Sequence, residues 1–184
     1  MKAISLVLIM IILGASSFAQ TKEEKKAAKK AKKEAKALAD EENTAALIRL
    51  VESKKFVLEA NTLFDRTGAS YILNSSLNFV GFDGANSTIQ LGFDQLIGWN
   101  GVGGVTIDGK ITKMEIKTKK NGVGFNIDAS VLNKGGGLVT MLFSVSSVGS
   151  ARVDMSGSFG ERISFQGNII DLNKTSVYKA TPIF

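Results

Sequence analysis

The side chains of this sequence best suited to acid–base chemistry are carboxylates. Eleven follow Asn43: Glu52, Glu59, Asp65, Asp83, Asp94, Asp108, Glu115, Asp128, Asp154, Glu161 and Asp171. Two carboxylates facing each other across a cleft make a glycosidase-like hydrolase, one donating a proton and the other acting as base or nucleophile. No spacing selects such a pair here. Asp83 and Asp108 each precede a glycine and read as turn residues. No stretch has the Asp-x-Asp-x-Asp spacing of a calcium loop. The chain has no His and no Cys. This excludes Ser-His-Asp triads, Cys-His dyads, histidine or thiolate metal sites, iron–sulfur clusters, disulfides and a lipid-modified cysteine. No catalytic, cofactor-binding or metal-ligating residue is assigned, and the chain reads as a protein that is not an enzyme.

The most distinctive local sequence is Gly98-Trp99-Asn100-Gly101-Val102-Gly103-Gly104, which holds the only Trp. A phosphate-cradling loop would need Gly-Lys-Ser/Thr opening a helix, or G-x-G-x-x-G between strand and helix. Neither is present. Gly98, Trp99, Asn100 and Gly101 are the candidate binding loop, because an aromatic on a loop makes good contacts. The competing reading has Trp99 packing over one end of the core.

A third feature is charge. Lys22–Lys36 holds eight Lys against three Glu, a local charge of +5 out of a net +6 for the chain. Ala27, Ala28, Ala31 and Ala35 fill most other positions, and this composition favours a helix. Such an arm can make weak contact with an anionic envelope surface. It has no aromatics to stack on bases, so nucleic acid is not expected as a partner, and only Ala and Leu38 on its apolar side. That is too little for an interfacial helix, and a solvated spacer is the competing reading.

Three regions must position these residues. Lys2, the apolar run Ala3–Leu13 and the small residues Ser17 and Ala19 form a signal peptide over 1–19, with cleavage between Ala19 and Gln20. The run is too short to span a bilayer. The exported product is expected in the periplasm or outside the cell, without a lipid anchor and without a transmembrane segment. Residues 20–42 form the Lys/Ala-rich helical arm. Residues 43–184 form a β-domain with a docking helix at its start, where Leu47, Leu50 and Val51 share one face.

From Lys55 onward the period changes to two. Phe56, Leu58 and Ala60 alternate with Val57 and Glu59; Tyr71, Leu73, Leu77 and Phe79 share a parity; Ile89, Leu91 and Phe93 follow suit. The same holds for Phe125, Ile127, Ala129 and Val131, for Ala151, Val153 and Met155, and for Ile163, Phe165 and Ile169. One face in and one face out marks antiparallel strands. Leu138–Val145 is apolar on both parities and is expected to be covered on both faces. Asp83-Gly84, Asp108-Gly109 and Asn121-Gly122 read as hairpin turns, with Gly135-Gly136-Gly137, Val148-Gly149 and Phe159-Gly160 marking others. Lys113, Glu115, Lys117, Lys119 and Lys120 read as a solvated outer face that guards an edge. The fold class is all-β: a mainly antiparallel meander of eight or nine strands, barrel- or sandwich-like, with an N-terminal α-helical arm. An outer-membrane barrel would need girdles of Tyr and Trp, and the chain has two Tyr and one Trp.

Four segments carry a family resemblance: Val51-Glu52-Ser53-Lys54-Lys55-Phe56-Val57-Leu58-Glu59-Ala60; Gly103-Gly104-Val105-Thr106-Ile107-Asp108-Gly109 with Ile111 to Lys117; Gly149-Ser150-Ala151-Arg152-Val153; and Arg162-Ile163-Ser164-Phe165-Gln166-Gly167-Asn168-Ile169. Over roughly residues 45–170 the chain resembles the exported bacterial proteins catalogued as domain of unknown function 4251. Its shared motifs are structural, and the resemblance implies no activity. Two departures stand out. Members often carry a cysteine at the signal cleavage site, absent here. Many carry a Leu-Pro-Tyr-rich segment where this chain reads Leu91-Gly92-Phe93-Asp94-Gln95-Leu96-Ile97. The expected function is non-catalytic, either binding or an envelope-structural role. The alternatives are a carboxylate-based hydrolase and a lipocalin-like carrier of a small apolar ligand, the latter requiring an apolar cavity inside a barrel.

Overall fold

The computed structural model of the protein describes residues 22–93, 101–157 and 162–182. One helix, α1 (Lys22–Glu52), precedes nine strands: β1 (Lys55–Phe64), β2 (Ser70–Ile72), β3 (Phe79–Asp83), β4 (Asn86–Leu91), β5 (Val105–Thr118), β6 (Phe125–Asn133), β7 (Leu138–Val145), β8 (Ser150–Gly157) and β9 (Arg162–Asp171). The chain divides between Ala39 and Asp40 into two compact units.

In the first unit α1 is exposed at every position from Glu23 to Ala39. Ala, Lys and Glu keep it helical without a packing partner, and Glu23 and Glu24 complement the positive end of its dipole. At 3.6 residues per turn, Lys25, Lys26, Lys29, Lys30, Lys32, Lys33 and Lys36 fall within about 160° of arc, opposite Ala27, Ala28, Ala31, Ala35 and Leu38.

In the second unit the strands follow one another around a sheet, and β1 pairs with β9 to close it. The result is an eight-stranded antiparallel barrel; β2 extends the edge of β1 beyond β3. The alternation seen in the sequence sorts correctly in β1, β4, β6, β8 and β9. Phe56, Leu58, Val80, Phe82, Phe125, Ile127, Val131, Met141, Phe143, Val153 and Phe165 point inward and are buried. The Phe56 and Phe82 rings stack with centroids 4.6 Å apart, and Phe82 meets Phe143 edge-on at 5.9 Å. Burying each ring contributes about 1.5–3 kcal/mol. The outer face carries Lys113, Glu115, Lys117 and Asp128 in an exposed ladder of ion pairs. A charged exterior around an apolar interior is the reverse of a membrane-spanning barrel.

The C-terminal part of α1 closes one end. Val51 is fully buried. The Thr44 hydroxyl donates to Asp40 O (2.7 Å) and accepts from Gly124 N in the β5–β6 turn (3.0 Å). Ser147 Oγ, in the β7–β8 turn, donates to Asp40 Oδ1 at 2.9 Å. The helix ends at Glu52, and Lys54, two residues on, takes a left-handed φ of 54° that turns the chain into β1.

Three expectations are corrected. Asp108-Gly109 is no turn but lies in mid-β5. A Cβ at Gly109 would come within 2.6 Å of Leu132 O, so its glycine serves close strand approach rather than reversal. Tyr71 to Phe79 is not one strand: the Asn74 side chain accepts from Ser76 N and turns the chain between β2 and β3. Leu138–Val145 is covered on one face only, with Leu138 and Leu142 exposed. β3 is covered on both faces, Phe79 and Gly81 facing outward and being buried, and the same cover takes in Val57 of β1 and Gln90 of β4. The Phe159-Gly160 turn lies outside the described residues.

At the β1–β9 seam a Cβ on Gly167 would collide with the carbonyl of Glu59. Gly167→Ala should therefore cost roughly 3 kcal/mol or more as an overpacked site. Gly68→Ala, in open space at φ +88°, should cost only about 1–2 kcal/mol. Urea unfolding of both variants checks the difference.

Candidate functional site

What covers β3 is the segment 172–182, which runs as a strap over the outer wall of β1, β3, β4 and β5. Its anchors are polar. Leu172 N donates to Lys55 O, Thr175 Oγ1 to Glu59 Oε1 (2.6 Å) and Tyr178 N to Ser76 O (2.8 Å). At the centre sits Gln90, fully buried. Its Nε2 donates to Leu77 O and Tyr178 O, and its Oε1 accepts from Thr106 Oγ1 and Ala180 N. Every hydrogen-bonding position of this amide is used, which is what makes its burial tolerable.

Beside Gln90 on the same wall is Asp108, paired in register with Thr88. Lys179 Nζ, from the strap, stands 2.8 Å from each carboxylate oxygen. Thr88 Oγ1 donates at 2.7 Å, and Lys134 Nζ lies at 3.9 Å. Burial alone would push the Asp108 carboxyl up. The hydrogen bonds from Lys179 and Thr88, with the charges of Lys179 and Lys134, outweigh it and hold the group below its ordinary 3.8.

These residues line a groove of about 790 Å³ between the strap, β3–β5 and the β6–β7 turn. Its floor is Phe79 and Gly81, its apolar sides Leu132, Leu172 and Val177. Lys110, Lys134 and Lys179 face Asp83 and Asp108, leaving an excess of one positive charge. Lys110 has no ion-pair partner among the described residues. An apolar floor with a few converging charged groups is the usual make-up of a small-molecule site.

Over the segment 38–169 the chain matches the model of the family described as Domain of unknown function (DUF4251). The chain belongs to this family. It is also similar to a solved structure, the crystal structure of a DUF4251 family protein from Bacteroides eggerthii DSM 20697, at 27% identity and a TM-score of 0.61. That likeness covers 76% of this chain and 94% of the other. No curated protein matches. The 38–169 match takes in the barrel strands of the DUF4251 fold but stops before the strap. The groove is therefore built from a family barrel and a segment beyond the matched region.

Of the residues singled out in the sequence, Gly98, Trp99 and Asn100 lie outside the described residues, as do Ala19 and Gln20. Gly101 is described, exposed at φ +81°. The base of that loop is held by Asn78, buried, whose side chain accepts from Gly92 N (2.9 Å) and donates to Gly92 O (3.0 Å). Among the described residues no group of three or more acidic side chains could hold a metal ion. No described helix is long and apolar enough to cross a membrane. Sequence reasoning missed the strap and the groove. The run Phe79-Val80-Gly81-Phe82, apolar on both parities, was the available signal that something covers β3.

The depressed Asp108 carboxyl ties acid stability to the strap. Its contribution should be complete above pH 3.8 and should fade as pH falls below it through the native value. Asp108→Asn should cost about 1–3 kcal/mol at neutral pH and flatten that acid limb. Denaturation curves taken from neutral pH down to acid would check both.

Proposed function

We propose that the chain is an exported, non-catalytic binding protein of the cell envelope, periplasmic or secreted and without covalent lipid, that holds a small ligand in the groove beneath the strap. The observation carrying this reading is the contrast between a barrel filled by its own side chains and an outer wall with a groove of about 790 Å³. A lipocalin-like carrier needs an empty lumen, and Phe56, Phe82, Phe125, Phe143 and Phe165 occupy this one. A hydrolase acid needs a carboxyl raised toward neutrality, whereas Asp108 is held low by Lys179, Thr88 and Lys134. The export reading rests on Lys2, Ala3–Leu13 and the Ser17-Phe18-Ala19 site. A native mass spectrum of the protein recovered from its own envelope or medium tests both parts. The expected species begins at Gln20 and carries a non-covalent adduct, which Leu132→Trp, filling the groove, removes without unfolding the chain. A retained leader overturns export; a missing adduct, or one that survives Leu132→Trp, overturns the groove.

The lysine arc of α1 favours a second role for the arm, weak attachment to an anionic envelope surface. The lysines form one band on an exposed helix whose other side is alanine, so contact would be electrostatic and not insertive. Each lysine near such a surface is worth about 1 kcal/mol. The full-length protein should co-sediment with phosphatidylglycerol vesicles at low salt and be released at high salt. Replacing Lys25, Lys29, Lys33 and Lys36 with Gln should weaken binding by about a hundredfold or more. Equal binding by the variant would rule out the arm as the attachment.

A further inference from the structure

A second concavity, of about 630 Å³, lies on other strands: the outer wall of β7, β8 and β9, roofed by the turn after β1. Three arginines line it, Arg66, Arg152 and Arg162. Arg152 is fixed from two directions. Its guanidinium carbon lies 4.4 Å from the centre of the Phe64 ring, and its Nε donates to Asp154 Oδ1 at 3.2 Å. Stacking on the ring and the Nε contact set the plane of the fork and leave its terminal nitrogens for another partner. Arg66 and Arg162 make no ion pair among the described residues.

The two carboxylates of this concavity each accept several hydrogen bonds on Oδ1. Asp65 Oδ1 accepts from Thr67 N (2.8 Å), Thr67 Oγ1 (2.7 Å) and Ala69 N (3.0 Å), and Tyr71 OH lies 3.4 Å from Oδ2. These bonds lock the turn that carries Arg66. Asp154 takes both Arg152 Nε and the Ser164 hydroxyl on Oδ1. Thr140 and Ser156, paired across β7 and β8, add hydroxyl donors to the wall. The site thus holds three guanidinium groups, one of them pre-oriented, beside hydroxyls that can donate.

We propose that this concavity binds a tetrahedral oxyanion of the phosphate class, a phosphate or sulfate group borne by a larger ligand. Guanidinium forks match such oxygens in pairs, and a fork already held in place loses little freedom on binding.

The test is a ¹⁵N NMR titration of the full chain with inorganic pyrophosphate, then with inorganic sulfate, at two salt concentrations. Saturable shifts are expected at the Arg152 Nε–H and at the amides of Thr67, Thr140 and Ser156, persisting at the higher salt. Arg152→Gln should weaken binding at least tenfold. Arg152→Lys should weaken it nearly as much, because lysine keeps the charge but loses the fork and the stack. Lys110→Gln, in the other groove, should leave it unchanged. Arg162→Gln provides an independent test should the Arg152 variants unfold. Saturable binding of either anion supports the oxyanion site, and stronger sulfate than pyrophosphate binding, against the greater charge of pyrophosphate, assigns the group to sulfate ester. Shifts that never saturate, that spread along the lysine arm, or that survive intact in Arg152→Lys would overturn the proposal.

Discussion

β1 must hydrogen-bond to β3 on one side and to β9 on the other, and position 167 leaves no room for a side chain where the second of these seams is made. The backbones approach until a Cβ on Gly167 would meet the Glu59 carbonyl. The register slips by one residue at Ala60/Thr62, a bulge that bends β1 into the curve closure requires. Without this seam the sheet would have two open edges and an apolar face half in water. With it, the phenylalanines of five strands meet in one interior. Closure therefore decides where function can lie. The lumen is filled by core side chains, so a ligand could meet this fold only at the outer wall, the turns or the ends.

That outer wall is not uniform. Along β4 and β5 the outward positions Asn86, Thr88, Gln90, Thr106 and Asp108 would suit water, yet the strap removes Gln90 and Thr106 from solvent completely. Burial of an amide and a hydroxyl without partners would cost more than the strap's few apolar contacts return. The strap is held because its backbone supplies the missing partners: Tyr178 O and Ala180 N complete Gln90. Lys179 then falls on Asp108 as the next residue along. The groove is a by-product of this arrangement. It exists where the strap passes over β3–β5 without filling the space against Leu132 and Lys134.

Alternation made the inward face readable, since a residue at Phe125, Ile127 or Val153 has only two faces to choose from. It could not tell which outward residues meet water. Gln90 and Asn126 have the same kind of neighbours in sequence, yet one is buried beneath the strap and the other exposed. The dipeptide Asp108-Gly109 misleads for a related reason. Glycine is required both for a turn and for close strand approach, and only the register with Val131 and Leu132 distinguishes them. The helix, by contrast, was legible to its stop, because Leu47, Leu50 and Val51 repeat at helical spacing almost to its end at Glu52. The two concavities were not. Phe64, Arg152 and Arg162 are brought together by pairings of β1 and β8 with β9, and no local pattern announces them.

The positive charge of +6 is distributed among surfaces of different physical character. The arm's lysines ride on an exposed alanine helix. Lys30 and Glu34 form an exposed pair 3.9 Å apart, of the kind that contributes little. Such charge acts at a distance and is screened beyond about 10 Å at 0.1 M salt. Lys179 is committed to Asp108 and acts mainly as a fastener for the strap. Arg152 is different again: ring contact and carboxylate fix its plane before anything binds. Lysine offers a hydrated point charge, whereas a stacked guanidinium offers a direction. On a barrel whose interior is full, that difference separates a surface that attracts anions in general from one able to discriminate among them by shape.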